Sequence, residues 1–69
     1  MTHYSLLDVN QQKTLPLPSA RNRLEALAHF GHELGRKLTL TGDGPAPFLL
    51  DEWEQGPHWT NHQIPVYVE

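Results

Sequence analysis

Histidines and carboxylates are the residues of this chain best equipped for chemistry, and their spacing limits what that chemistry could be. His29 and His32 stand three apart with Glu25 and Glu33 beside them. On a helix this spacing puts imidazoles and carboxylates on one exposed face, the beginning of a metal site. One turn supplies only two ligands there, whereas a bound metal normally takes three or four. His58 and His62 are four apart behind Pro57, which could open one helical turn and bring both rings to one side. Joined to the first pair they would make a four-His cage, but nothing in the spacing says that the pairs meet. The expectation is therefore no metal and no cofactor, with His29, His32, His58 and His62 as the ligands to examine.

Other constellations are thinner. Ser5 or Ser19, a His and Asp51 supply the parts of a nucleophilic triad, but no nucleophile elbow or other motif spacing holds any of them, so no catalytic residue is expected. Gly42-Asp43-Gly44 resembles a phosphate nest in composition, yet it lacks the glycine spacing and the Lys-Ser/Thr pair of a phosphate loop and reads as a turn. Lys13, Arg21, Arg23, Arg36 and Lys37 could gather near the helix as a basic patch. Five basic residues against eight acidic ones is the wrong balance for binding a phosphate backbone, and a nucleic-acid partner is disfavoured.

The most unusual local composition is Leu50 to Trp59, where Asp51, Glu52 and Glu54 accompany Trp53 and Trp59 ahead of and behind a Gly56-Pro57 break. Tryptophan concentrates binding energy and carboxylates steer basic partners. Asp51, Glu52, Trp53, Glu54 and Trp59 are accordingly the candidate partner-binding residues, set against a plainer reading in which Trp53 closes the core and the carboxylates are solvated.

Length and composition bound the object that carries these groups. Sixty-nine residues make one small domain, 1–69, whose core can contribute only about 3–5 kcal/mol of net stability. With no Cys, disulfides and thiolate zinc sites are excluded, leaving tight packing, His or carboxylate ligands, or a partner subunit to supplement that core. No apolar stretch approaches the roughly 20 residues that cross a bilayer, and Met1-Thr2-His3-Tyr4 lacks the basic and apolar regions of a signal peptide, so a cytoplasmic, non-membrane protein is expected. Net charge is −3 with the five His neutral, and full protonation of those His would bring it to +2.

Hydrophobic periodicity then predicts the elements. Residues 3–9 read as a strand, Asn10-Gln11-Gln12 as a turn and residues 13–18 as a return strand whose two prolines confine it to an edge or to an extended lead into the helix. Start signal, period and stop signal agree on an amphipathic helix between Pro18 and Gly35, capped by Ser19 and ended by Gly35 in a left-handed conformation. At about 100° per residue its core face would be Ala20, Leu24, Leu27, Ala28, Gly31 and Leu34, with Ala26 and Phe30 at the boundary. Residues 37–41 alternate as a strand, 42–45 are turn chemistry and 48–53 resume as a strand, predicting a hairpin over 37–53. Ile64, Val66 and Val68 share a face of a last strand, 63–68, in which Pro65 again marks an edge.

Assembled, these elements predict an α+β domain: hairpin, helix, hairpin and C-terminal strand in a small antiparallel sheet, with one helix packed on one face. A right-handed crossover with parallel pairing is the runner-up, disfavoured by the short connections. One helix covers only one face of such a sheet, so Leu7, Leu49, Tyr67 and Trp53 could form an apolar patch on the other, a surface suited to a homodimer. The functional expectation is a non-enzymatic protein-binding module, a small regulator, inhibitor or accessory protein. A His-based metal- or ligand-binding domain and a weak nucleic-acid binder are the alternatives.

Overall fold

The computed structural model describes residues 2–17 and 19–69. The roles assigned above to Met1 and to Pro18, as the last residue of the return strand and the start of the helical run, lie outside the described residues. The chain forms β1 (Thr2–Asp8), β2 (Lys13–Leu17), α1 (Arg23–Leu34), β3 (Leu38–Thr39), β4 (Phe48–Gln55) and β5 (Trp59–Val68). The strands make one sheet in the order β2-β1-β4-β5-β3, and every neighbouring pair is antiparallel. This is the expected α+β arrangement of one helix on one sheet, and the parallel crossover is not formed.

The first hairpin follows from its turn. The Asp8 carboxylate accepts hydrogen bonds from the backbone N–H groups of Asn10 and Gln11 at 3.0 and 3.1 Å, and the Gln12 N–H donates to the Asp8 carbonyl at 2.8 Å. Gln12 takes the positive φ, 55°, that lets the chain reverse. Pro16 lies in β2, an edge strand, where a missing donor breaks no interior ladder.

The second expected hairpin is not formed. Residues 37–41 shrink to the two-residue β3, which pairs with β5 (Leu38 opposite Val68, Thr39 opposite Tyr67) and not with β4. A two-residue ladder cannot satisfy the eight-residue β4, which instead pairs along its whole length with β5 and over seven residues with β1. Gly56-Pro57, read from sequence as a break, is the tight turn of this β4–β5 hairpin, closed by a hydrogen bond from the Gly56 N–H to the His58 carbonyl at 3.2 Å. The β3–β4 connection must then pass β5. It does so against the Tyr67 ring, where Gly42 has no room for a side chain and the Tyr67 hydroxyl donates to the Gly44 carbonyl at 3.2 Å. Pro65 sits in β5 beyond the reach of β3, where that side of the strand is unpaired.

Helix α1 starts later than its sequence suggests. Asn22, not Ser19, is the N-cap: its extended backbone turns the side chain to accept from the Glu25 N–H at 2.9 Å. The C-terminus is as expected, with Gly35 at φ 68°, the Arg36 N–H on the Gly31 carbonyl at 2.9 Å and the Gly35 N–H on that of His32 at 3.3 Å. The buried face is rotated by roughly 60° from the expected one, at 100° per residue. Ala26, Leu27, Phe30 and Gly31 are buried, whereas Leu24 is 71% exposed and Ala28 and Leu34 also face outward. Phe30, the largest fully buried side chain, takes the deepest position and sets this phase. It packs with Ala26 and Leu27 among Tyr4, Leu6, Phe48, Leu50 and Val66 from the even-numbered face of the central strands.

Candidate functional site

Strand alternation sorts the Leu50–Trp59 segment onto two faces. Phe48, Leu50, Glu52 and Glu54 share the parity that faces α1, while Leu49, Asp51, Trp53 and Gln55 point to the open face of the sheet. The register carries that open face across three strands. His3, Trp53 and Asn61 form one row, Ser5, Asp51 and Gln63 the next, and Leu7, Leu49 and Pro65 a third; Trp59 stands opposite Gln55 at the end.

The result is an aromatic end, a polar middle and an apolar end. Trp59 is 50% exposed and Trp53 39%. The Trp59 ring meets that of His3 edge to face, with centroids 5.4 Å apart and an interplanar angle of 61°. Asp51 is half-buried beside them and accepts from the Asn61 side-chain amide at 3.3 Å. Leu7, Leu49 and Tyr67 of the expected apolar patch are half-buried, and the Gly42–Gly44 loop lies over the Tyr67 end. No Lys or Arg stands in these three rows of β1, β4 and β5, and Lys13 shares the helix-side parity of Leu15 and Leu17. Asp51 is the one fixed charge in those rows.

Glu52, expected in the exposed carboxylate cluster, is buried at 7% exposure. Its Oε2 accepts from the Tyr4 hydroxyl at 3.0 Å and from Arg23 Nε at 3.0 Å, and its Oε1 accepts from Arg23 Nη2 at 3.1 Å. Those guanidinium hydrogen bonds hold its carboxyl below the ordinary range against the opposing effect of burial, and the Tyr4 hydroxyl adds to the lowering. Burial, then the hydrogen bond to Glu52 and its charge, push Tyr4 up to about 12. This network ties the first turn of α1 to β1 and β4 and leaves the carboxylate no role at a surface. Glu54 is exposed on the same side of the sheet, near Thr2 and Arg23, and so also faces away from the two Trp.

The remaining candidates are scattered. His29 lies 3.7 Å from Glu33 along the helix, His58 is in the β4–β5 turn and His62 is on β5 opposite Glu52. Because Trp59 to Val68 is strand, no helical turn brings His58 and His62 together, and four residues of strand span about 13 Å. Among the described residues no three His, Asp or Glu side chains are grouped as metal ligands. Ser5 faces Asp51 across β1 and β4, but Asp51 is engaged by Asn61 and His3 by Trp59, and Ser19 precedes the helix on the other side of the sheet. Lys13 lies on β2 and the other four basic residues divide between the two ends of α1, with Arg21 3.7 Å from Glu25 and Arg23 on Glu52.

Sequence reasoning missed His3, Asn61 and Gln63 as neighbours of Trp53 and Asp51, and Tyr4 and Arg23 as partners of Glu52. Period-two parity within residues 48–55 was the available signal for separating Asp51 from Glu52. The neighbours required the non-local register. No helix among the described residues is long and apolar enough to cross a membrane. No known family model, curated protein or solved structure matches the chain.

Proposed function

We propose that this chain is a non-enzymatic protein-binding module, a small regulator or accessory subunit, and that the aromatic end of its open sheet face takes a basic segment of a partner protein. The observation that carries the reading is the placement of Trp53 and Trp59, both substantially exposed, beside rows of β1, β4 and β5 that hold Asp51 and no Lys or Arg. Exposed large aromatics in one patch are a surface that gains by being covered. A Lys or Arg side chain laid over an exposed indole gains about 0.5–1 kcal/mol, and a carboxylate beside it adds direction and speeds encounter. Two Trp and one Asp therefore suit a weak, salt-sensitive contact.

Glu52 leaves the expected contact set because it is buried, and Glu54 acts only as a charge at the border. A second copy of the chain is the competing occupant of the same face. The Gly42–Gly44 loop over Tyr67 reduces the flat apolar area that such a pairing would use.

The test is a titration of Lys- and Arg-rich peptides, with Gln-substituted controls, followed by tryptophan emission. Saturable binding of the basic peptides alone is expected, weakened about two- to fivefold by Trp59→Ala and by Asp51→Asn at unchanged thermal stability. Equal responses to the controls, or sedimentation as a dimer that Trp59→Ala dissociates, would overturn the reading.

A further inference from the structure

Helix α1 has more apolar surface than the sheet uses. Ala26, Leu27 and Phe30 face the core, while Leu24 and Ala28 lie to one side of that stripe and remain exposed. Together with Leu27, Leu38 and Leu40 they line a groove of about 710 Å³ between α1 and β3. Leu24, at 71%, is the most exposed large hydrophobic side chain among the described residues. The groove exists because Gly31 lets the chain fold back tightly after the helix: a Cβ there would lie 2.6 Å from the Arg36 carbonyl oxygen. That return places Leu38 beside the helix and ends in a strand of only two residues, too short to roof the space above Leu27.

Two further features say what the groove would accept. The first is backbone. The Glu69 N–H donates to the Lys37 carbonyl at 2.9 Å, so Lys37 faces β5 and the antiparallel alternation turns the N–H and C=O of Leu38 toward the unpaired edge of the sheet. The second is charge. The ion pairs among the described residues are Arg21–Glu25, Arg23–Glu52 and His29–Glu33, which leaves Arg36 and Lys37 without a carboxylate partner at the rim, beside His32. Glu69 is the one carboxylate among the lining residues.

We propose that this groove is a docking site for an extended segment of another protein that combines carboxylates with large apolar side chains. Its apolar residues would cover Leu24, Ala28 and Leu40, its carboxylates would pair with Arg36 and Lys37, and its backbone would bond the Leu38 edge. A second copy is the less suitable occupant. Edge-to-edge pairing of β3 would bring Arg36 and Lys37 of both copies onto one seam, where like charges repel. The site lies on the helix side of the sheet, opposite the Trp53–Trp59 face, and its proposed ligand has the opposite charge, so the two readings stand or fall separately.

The experiment pans the folded protein against a random-peptide phage library and measures the enriched peptide by fluorescence anisotropy. A consensus rich in Asp or Glu and in Leu, Ile or Phe is expected. Leu24→Asp and the double variant Arg36→Glu/Lys37→Glu should each weaken it roughly tenfold or more, while Trp59→Ala leaves it unchanged. Leu24 and both cations are exposed, so each variant is expected to keep the wild-type urea midpoint. No enrichment, a consensus without acidic residues, or affinity indifferent to Leu24→Asp would overturn the proposal. So would sedimentation showing a dimer that Leu24→Asp splits, which would make the second copy the occupant.

Discussion

The phase of α1 can be tested with a pair of leucine-sized changes. Phe30 is fully buried and Leu24 is 71% exposed, although sequence periodicity places Leu24 on the core face and Phe30 at its border. Phe30→Leu removes part of a ring from a packed site and should cost about 1–1.5 kcal/mol; Phe30→Ala, at about 3–5 kcal/mol, would leave little fold to measure. At roughly 0.05–0.15 kcal/mol per residue, a domain of 69 residues holds about 3–10 kcal/mol in total. With a urea slope near 1 kcal/mol/M, Phe30→Leu should lower the midpoint by about 1 M. Leu24→Ala loses almost no burial and gains slightly in helix propensity, so its midpoint should stay within about 0.5 M of wild type. Urea melts followed by circular dichroism decide the matter. A larger drop for Leu24→Ala than for Phe30→Leu would mean that α1 is turned as the periodicity predicts, and the packing described above would be wrong.

Other outcomes follow from the same structure. Because Glu52 has a lowered pKa in the fold, its contribution is present above the unfolded carboxyl range near 4.5 and is lost as pH falls through its folded value; Glu52→Gln should flatten the acid limb of a stability profile. Tyr4, raised from 10.0 to about 12, contributes below pH 10 and loses that contribution as pH rises toward 12, so Tyr4→Phe should remove an alkaline loss of stability between those values. Gly31→Ala should lower the melting temperature despite the higher helix propensity of Ala, since the new Cβ meets the Arg36 carbonyl oxygen at 2.6 Å; a rise would show that the return of the chain is looser. Asn22→Ala should cost about 1 kcal/mol in a urea melt and Ser19→Ala nothing measurable, and the reverse order would restore Ser19 as the cap.

What the sequence disclosed was mostly local. The Asn10-Gln11-Gln12 turn, the alternation on either side of it and the Gly35 cap depend on residues within a few positions of one another, and each stands where the pattern puts it. Strand partners are not local. Nothing in residues 37–41 shows that β5 will claim them while β4 pairs with β1 and β5, because an eight-residue strand chooses among partners by total ladder length and shared burial. The helix phase failed for a related reason. A periodicity argument weighs Leu24 and Phe30 alike, whereas packing gives the deepest place to the larger ring and the Arg23–Glu52 contact fixes the helix start. Composition drew Asp51, Glu52, Trp53 and Glu54 together as one surface, and the two-residue period of β4 divides them between opposite faces. Asp51 and the two Trp share the open face of the sheet, and the residues that surround them there came only with the register.

The most direct measurement of the central claim is a nitrogen-15 correlation spectrum recorded during titration with an Arg- and Lys-rich peptide. Trp53 and Trp59 are the only tryptophans, so their indole N–H signals report on the open face without ambiguity. The expected result is saturable shifts of both indoles and of the backbone amides of His3, Asp51 and Asn61, shrinking as salt is raised toward a Debye length of about 3 Å at 1 M. Shifts confined to α1 and β3, or no saturable shift of either indole, would contradict the assignment of this face to a basic partner.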